Sequence, residues 1–179
     1  ARGHRPTVVH ASNSAATFRL PEARFDMVRV GMALFGYAGA DDVAPDLRHA
    51  MRLRSRIVAL RDLVPGDAVG YCALFVAERP MRLATVPVGY GDGYFRALSN
   101  KADVLVRGQR CRLVGRVSMD LVTIDVSALE DVGVGEEVVL FGPSGDERIA
   151  PQELAAHAGT IPYEILTNVS RRVPRVYFG

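Results

Sequence analysis

Residues 68–96 read AVGYCALFVAERPMRLATVPVGYGDGYFR, an apolar run with a glycine-flanked tyrosine at each end. At the near end Val69-Gly70-Tyr71-Cys72 sets a phenol beside a glycine. At the far end Val88-Gly89-Tyr90-Gly91-Asp92-Gly93-Tyr94 does so with three glycines and two aromatics. Glycine next to an aromatic lets the backbone bend or approach another surface closely, because no Cβ stands in the way. Between the two turns, residues 81–88 alternate loosely and become β-branched, which predicts a strand. The simplest reading is a hairpin whose tyrosines pack at a sheet edge. A tyrosine serves as a general acid or base only where its proton affinity is tuned to the task, and spacing alone does not show that.

Outward from this stretch the strand signals continue. Residues 53–61 alternate at period two and run into the turn Pro65-Gly66-Asp67. Further runs at 102–106, 109–114, 121–126 and 137–141, with Arg107-Gly108 as a hairpin turn, predict an antiparallel barrel or sandwich. Residues 149–159 read as a helix with proline near its start and glycine past its end, and residues 171–177 as strand-like and exposed. Upstream, residues 38–45 are rich in Gly, Ala and Asp and end in proline, which marks a boundary. Before it, residues 7–10 and 27–30 read as short strands around a helix that Asn13 or Ser14 could cap. A strand-helix-strand unit holds ligands at the carboxyl ends of its strands. Ser14 and the amides of Gly31 and Met32 are therefore phosphate candidates, although an ordinary cap and tight turn explain them equally well.

With 179 residues, 49% of them apolar, the chain can bury a core. No apolar run approaches the length of a membrane span and no leader pattern is visible at the first residues, so a soluble, cytoplasmic protein is expected. A net charge of +2 spread along the chain gives no basic stripe for nucleic acid. Cys72 and Cys111 have no metal-ligand spacing; no metal is expected, and both are read as buried apolar thiols. Lys101 is the only lysine, so chemistry needing a Schiff-base amine must use it or draw on another polypeptide segment.

Six ordered motifs, HASNSAA (10–16), RVGMALFG (29–36), VGYCALF (69–75), VPVGYGDGYFR (86–96), GRVSMD (115–120) and IPYEIL (161–166), resemble alanine racemase, over the C-terminal half of that family. The resemblance implies a mostly β fold. Residues 1–40 would be the last β-α-β piece of a TIM-type α/β barrel that binds pyridoxal 5'-phosphate, and residues 41–179 an antiparallel β-barrel-like domain. It further implies a homodimer with active sites shared between subunits, and interconversion of L- and D-alanine for peptidoglycan supply. Tyr71 matches one of the family's two acid/base groups, the other being the cofactor lysine of the barrel half not contained here. Inverting a Cα centre requires removing a proton from one face and supplying one to the other, which two such groups on opposite faces achieve. Arg29 matches the donor to the pyridine nitrogen, and Ser14, Gly31, Met32 and Tyr163 match the phosphate cradle. Met119 matches the residue whose backbone holds the substrate carboxylate. Tyr90, Arg96, Arg116 and Asp120 match the access corridor or its support. Cys72 stands where the family more usually has glycine, and Lys101 matches no functional lysine. Two other readings are a broader-specificity racemase of the same fold and a β domain acting only in binding or dimerisation.

Overall fold

The computed structural model describes Gly3, residues 6–37 and residues 47–178. The chain divides into two compact units, Ala1–Met51 and Arg52–Gly179. The boundary expected at residues 38–45 lies outside the described residues.

In the first unit, helix α1 (Ser14–Arg19) starts where Asn13 Oδ1 accepts the Ala16 N–H at 3.0 Å, so Asn13 rather than Ser14 is the cap. The flanking segments are not the two strands that their apolar residues suggest. They meet in a single parallel bridge between His10 and Met27, fastened by the Asp26 N–H to Val9 C=O and the Arg29 N–H to Ser12 C=O. A parallel ladder needs neighbours on both sides, and these described residues supply one pair. Met32–Phe35 then forms a 3₁₀ turn closed by Gly36 in the left-handed region.

The second unit is built on strands β1 (Leu53–Arg56), β2 (Ala59–Leu63), β3 (Ala68–Val69), β4 (Phe75–Val76), β5 (Met81–Val86), β6 (Asp103–Val106), β7 (Gln109–Val114), β8 (Val122–Asp125), β9 (Glu137–Ser144) and β10 (Glu147–Ile149). All their pairings are antiparallel. The order β1-β9-β6-β7-β8-β5-β2 turns two corners. At one, β7 pairs with β6 through residues 109–112 and with β8 through 113–114. At the other, the period-two run 53–61 breaks between β1 and β2. The Ile57 N–H reaches Glu136 C=O while the next amide, of Val58, reaches Thr85 C=O. Successive amides along an extended chain face opposite ways, so one run serves both ends of the sheet and brings it round toward a barrel. Val86, Val104, Leu113, Ile124, Leu140 and Phe141 are buried.

Helix α2 (Pro151–Ala158) has proline in its first turn and Gly159 at φ 72° past its end, as its sequence predicts. Residues 162–167 add a third helix, α3 (Pro162–Thr167), which apolar spacing over so short a span does not reveal. Residues 171–177 are largely exposed as expected but form no strand, since no strand among the described residues pairs with them. The β9–β10 hairpin was also not foreseen; Gly145 and Asp146 make its turn. Cys111 is buried, which pushes its thiol up to about 11, chiefly by desolvation, with Asp125 and Asp103 adding to it. Cys72 is exposed, contrary to the expectation of two buried thiols. Among the described residues no helix is long and apolar enough to cross a membrane.

Candidate functional site

The run that opens at Ala68 makes its own small hairpin, β3 against β4, and Tyr71 sits at its tip. Tyr71–Ala73 is a 3₁₀ turn entered through Gly70 at φ 72°. Inside it Cys72 and Ala73 both take positive φ, 62° and 46°. A side chain in this region costs about 1–3 kcal/mol. The result is a tyrosine side chain turned outward, 71% exposed. Gly70, Tyr71, Thr85, Arg116, Ser118, Leu121, Val122 and Thr123 line one groove of about 470 Å³. The groove is apolar along β8, with a phenol and a guanidinium at its wall. Gly70 permits this meeting: a Cβ there would lie 3.1 Å from the Arg116 nitrogen.

Beside the groove the far tyrosine turn clasps the segment after Arg116. The Tyr90 N–H donates to Ser118 C=O at 3.0 Å and the Gly91 N–H to Met119 C=O at 2.9 Å. A Cβ on Gly89 would lie 2.3 Å from both of those oxygens, so only glycine permits the approach. Asp92 accepts the Gly89 N–H at 3.0 Å and closes the turn. Arg172 then ties both sides, its Nε 3.2 Å from Asp92 and its Nη2 2.5 Å from Asp120. Tyr90, Met119 and Asp120 are thus brought together, with Met119 half exposed at 45%. The Met119 carbonyl is engaged, and its N–H has no acceptor among the described residues. Arg96 lies apart from that clasp, in the 3₁₀ turn Arg96–Leu98, exposed. Tyr163 stands in the first turn of α3, exposed.

In the first unit Ser14, Gly31 and Met32 converge. Buried Ser14 turns its Oγ away from the cap position to accept the N–H groups of Gly31 at 3.0 Å and Ala33 at 3.3 Å. The hydroxyl proton remains to be donated. Arg29, exposed, places Nη1 2.6 Å from His10 Nδ1. A guanidinium has no acceptor, so Nδ1 must be the unprotonated ring nitrogen, and His10 fixes one arm of Arg29. His10 and Arg172 are participants that sequence reasoning did not single out. His10 lies inside a quoted motif, but nothing in the sequence pairs it with Arg29.

Lys101 is exposed, its Nζ 3.4 Å from His157 C=O, as expected of a surface residue. Among the described residues no cluster of His, Cys, Asp and Glu could hold a metal ion.

The family model described as alanine racemase, C-terminal domain, matches residues 50–177, and that described as alanine racemase, N-terminal domain, matches residues 1–39. The alanine racemase of Sorangium cellulosum is 50% identical over 179 residues, covering 98% of this chain and 47% of that protein. The crystal structure of alanine racemase from D-cycloserine-producing Streptomyces lavendulae superimposes with a TM-score of 0.91 at 38% identity, over 99% of this chain and 47% of that one. That of Bacillus anthracis with bound L-Ala-P gives 0.89 at 37%, over 99% and 46%. The chain therefore spans about half the length of the relatives it matches.

Proposed function

The chain belongs to the alanine racemase family, and from that premise we propose that it supplies the C-terminal half of an enzyme that interconverts L- and D-alanine with pyridoxal 5'-phosphate, in the cytoplasm, for peptidoglycan precursors. The observation that carries this reading is the outward-facing Tyr71, held on a strained turn at the wall of a groove beside Arg116.

The donors of the first unit suit a phosphate ester on a pyridine ring. A buried hydroxyl with its proton free, the Met32 amide that opens a 3₁₀ turn and a guanidinium fixed by a histidine are all donors, while the Gly31 N–H is given to Ser14 Oγ and fixes that hydroxyl in place. Pyridoxal phosphate, when bound, acidifies the substrate Cα by withdrawing electron density from it. Ser14, Gly31 and Met32 hold the phosphate, with Tyr163 keeping the phosphate role that the resemblance implies. Arg29 donates to the ring nitrogen and keeps its own proton, because a guanidinium is not deprotonated in proteins. Tyr71 moves the proton at one face of Cα. The Met119 backbone orients the substrate carboxylate. Tyr90, Arg96 and Arg116 line the approach, and Asp120 supports Met119 through Arg172.

The second acid/base group is not in this chain, and Lys101 is no substitute for it. With pyridoxal phosphate and borohydride the isolated chain is expected to give no stoichiometric adduct by mass spectrometry, and to racemise no alanine. A full adduct on Lys101 overturns this.

The working enzyme is a homodimer in which Tyr71 and Met119 serve the partner's cofactor, whereas Ser14, Arg29 and Tyr163 serve their own. The test is complementation: full-length Tyr71→Phe subunits are unfolded and remixed with full-length subunits lacking the cofactor lysine. Half of randomly mixed dimers are hybrids, each with one intact site of two. Activity of about one quarter of the parental level is therefore expected. Confirmed heterodimers without recovery would place Tyr71 in its own subunit's site.

A further inference from the structure

The hairpin that carries Tyr71 is anchored at its base, where Val69 and Ala77 are buried and the Ala77 N–H reaches Asp67 C=O at 2.9 Å, but not at its tip. It has two paired positions, Ala68 with Val76 and Val69 with Phe75, and lies outside the eight-stranded sheet. Residues 71–74 are all exposed, so packing does not hold the turn, and two of its residues have positive φ. Left to itself such a turn relaxes, because nothing local offsets its strain.

What holds it comes from the loop before β6. Asn100 sits at φ 56°, a conformation asparagine tolerates better than most residues. Its side chain uses both ends. Oδ1 accepts the Gly115 N–H at 2.5 Å, and Nδ2 donates to Leu74 C=O at 3.0 Å. A backbone N–H on one side and a carbonyl on the other leave only this orientation of the amide. The Asn100 carbonyl in turn accepts from Arg112 Nη2 at 2.6 Å, and neighbouring Ser99 Oγ accepts the Val117 N–H at 3.0 Å. Ser99 and Asn100 therefore pin residues 115–117, the backbone carrying Arg116. From that anchored position Asn100 reaches the exit of the tyrosine turn. The Arg116 side chain adds only a 3.4 Å contact to Tyr71 C=O.

We propose that Asn100 is the positioning residue for Tyr71: by joining Leu74 to Gly115 it fixes the turn that presents the phenol relative to the groove wall carrying Arg116. This rests on the reading of Tyr71 as the proton-transfer group. Asn100 touches neither substrate nor cofactor. Its effect is on the distance and angle from which the phenol meets Cα, and a misplacement of the order of 1 Å there costs about 10²-fold in rate.

Asn100→Asp separates the two bonds, since an aspartate still accepts from Gly115 but cannot donate to Leu74. Asn100→Gly keeps the backbone conformation and loses both. In the full-length holoenzyme with L- and D-alanine, both variants are expected to lower kcat about 10- to 100-fold at little change in KM. The informative readout uses Cα-deuterated alanine. If Tyr71 is misplaced, the isotope effect on kcat rises in the direction in which Tyr71 removes the proton and falls toward unity in the other. A merely structural defect lowers the fraction of active enzyme and leaves both isotope effects, and kcat per active site, at parental values; that result in either folded variant overturns the proposal. Tyr71→Phe measured alongside keeps the premise separate. Loss of activity in Tyr71→Phe with parental kinetics in both Asn100 variants refutes the role of Asn100 alone. Parental activity in Tyr71→Phe refutes the functional reading, and the proposal with it.

Discussion

Tyr71→Phe in the full-length enzyme is expected to lower turnover about 10²- to 10⁴-fold in both directions, the usual cost of removing one positioned acid/base group, while leaving the fold and cofactor binding as they were. The second half of that expectation comes from the structure. Within its own subunit the Tyr71 side chain is mostly exposed and its hydroxyl makes no hydrogen bond among the described residues, so deleting one oxygen removes no packing and strands no partner inside the fold that carries it. Surface changes of this kind usually stay within about 0.5 kcal/mol. Melting temperature and the cofactor absorbance band should be unchanged while racemisation, followed by polarimetry or by wash-in of solvent deuterium at Cα, collapses. A variant with near-parental turnover in both directions would remove Tyr71 from the proton-transfer step. Unchanged stability is what makes the loss interpretable as chemistry.

Gly93→Ala is expected to be the most damaging small substitution in the second unit. Gly93 has φ 97°, and a Cβ built there lies 2.1 Å from Asn168 C=O, against backbone rather than a side chain that could swing away. Gly66 provides the control within the same unit: its φ is also 97°, yet a Cβ there meets nothing within 4 Å. Gly66→Ala should cost only the conformational strain, about 1–3 kcal/mol. Gly93→Ala adds the clash and should exceed about 4 kcal/mol, in the range reserved for severe defects. Urea denaturation of the two variants in parallel measures the difference. Equal midpoints would mean that the 89–94 turn yields to admit the methyl, and that Gly93 is not required by its close approach to Asn168.

These glycines also illustrate which features can be seen in a sequence. That Gly-Tyr-Gly-Asp-Gly makes a turn is legible, because local backbone chemistry decides it. That Gly89 abuts Ser118 and Met119 is not, because the contact joins segments about thirty residues apart. A cap at Asn13 or Ser14, and Pro151 and Gly159 as the ends of a helix, could be read for the same local reason, with only the structure choosing Asn13. The break between β1 and β2 could not: the alternation of residues 53–61 lapses only over the apolar run Ile57-Val58-Ala59-Leu60, and it takes the partners Glu136 and Thr85 to reveal that the run changes sides there. Cys72 reads as a buried thiol because no metal-ligand spacing claims it, but the strained turn carries it outward. Asn100 reads as one polar residue in a polar loop, since its two partners, Leu74 and Gly115, lie on either side of it in sequence and meet only in the fold. The six motifs pointed to the family, whereas the ties that hold those motifs together are tertiary.

The same run that brings the sheet round has a cost at its outer sides. Because β1 pairs only with β9 and β2 only with β5 among the described strands, each half leaves one row of backbone donors and acceptors without a strand beside it. Such a row is an invitation for another chain to add itself, the first step toward insoluble aggregates. The side chains answer it. Arg54 and Arg56 on β1, and Arg61 and Asp62 on β2, are exposed along those four- and five-residue strands. A second copy lying alongside would have to desolvate them or set like charges against each other. The arginines that give residues 53–61 their alternation thus also protect the chain, while it is folding, from stacking with its own copies.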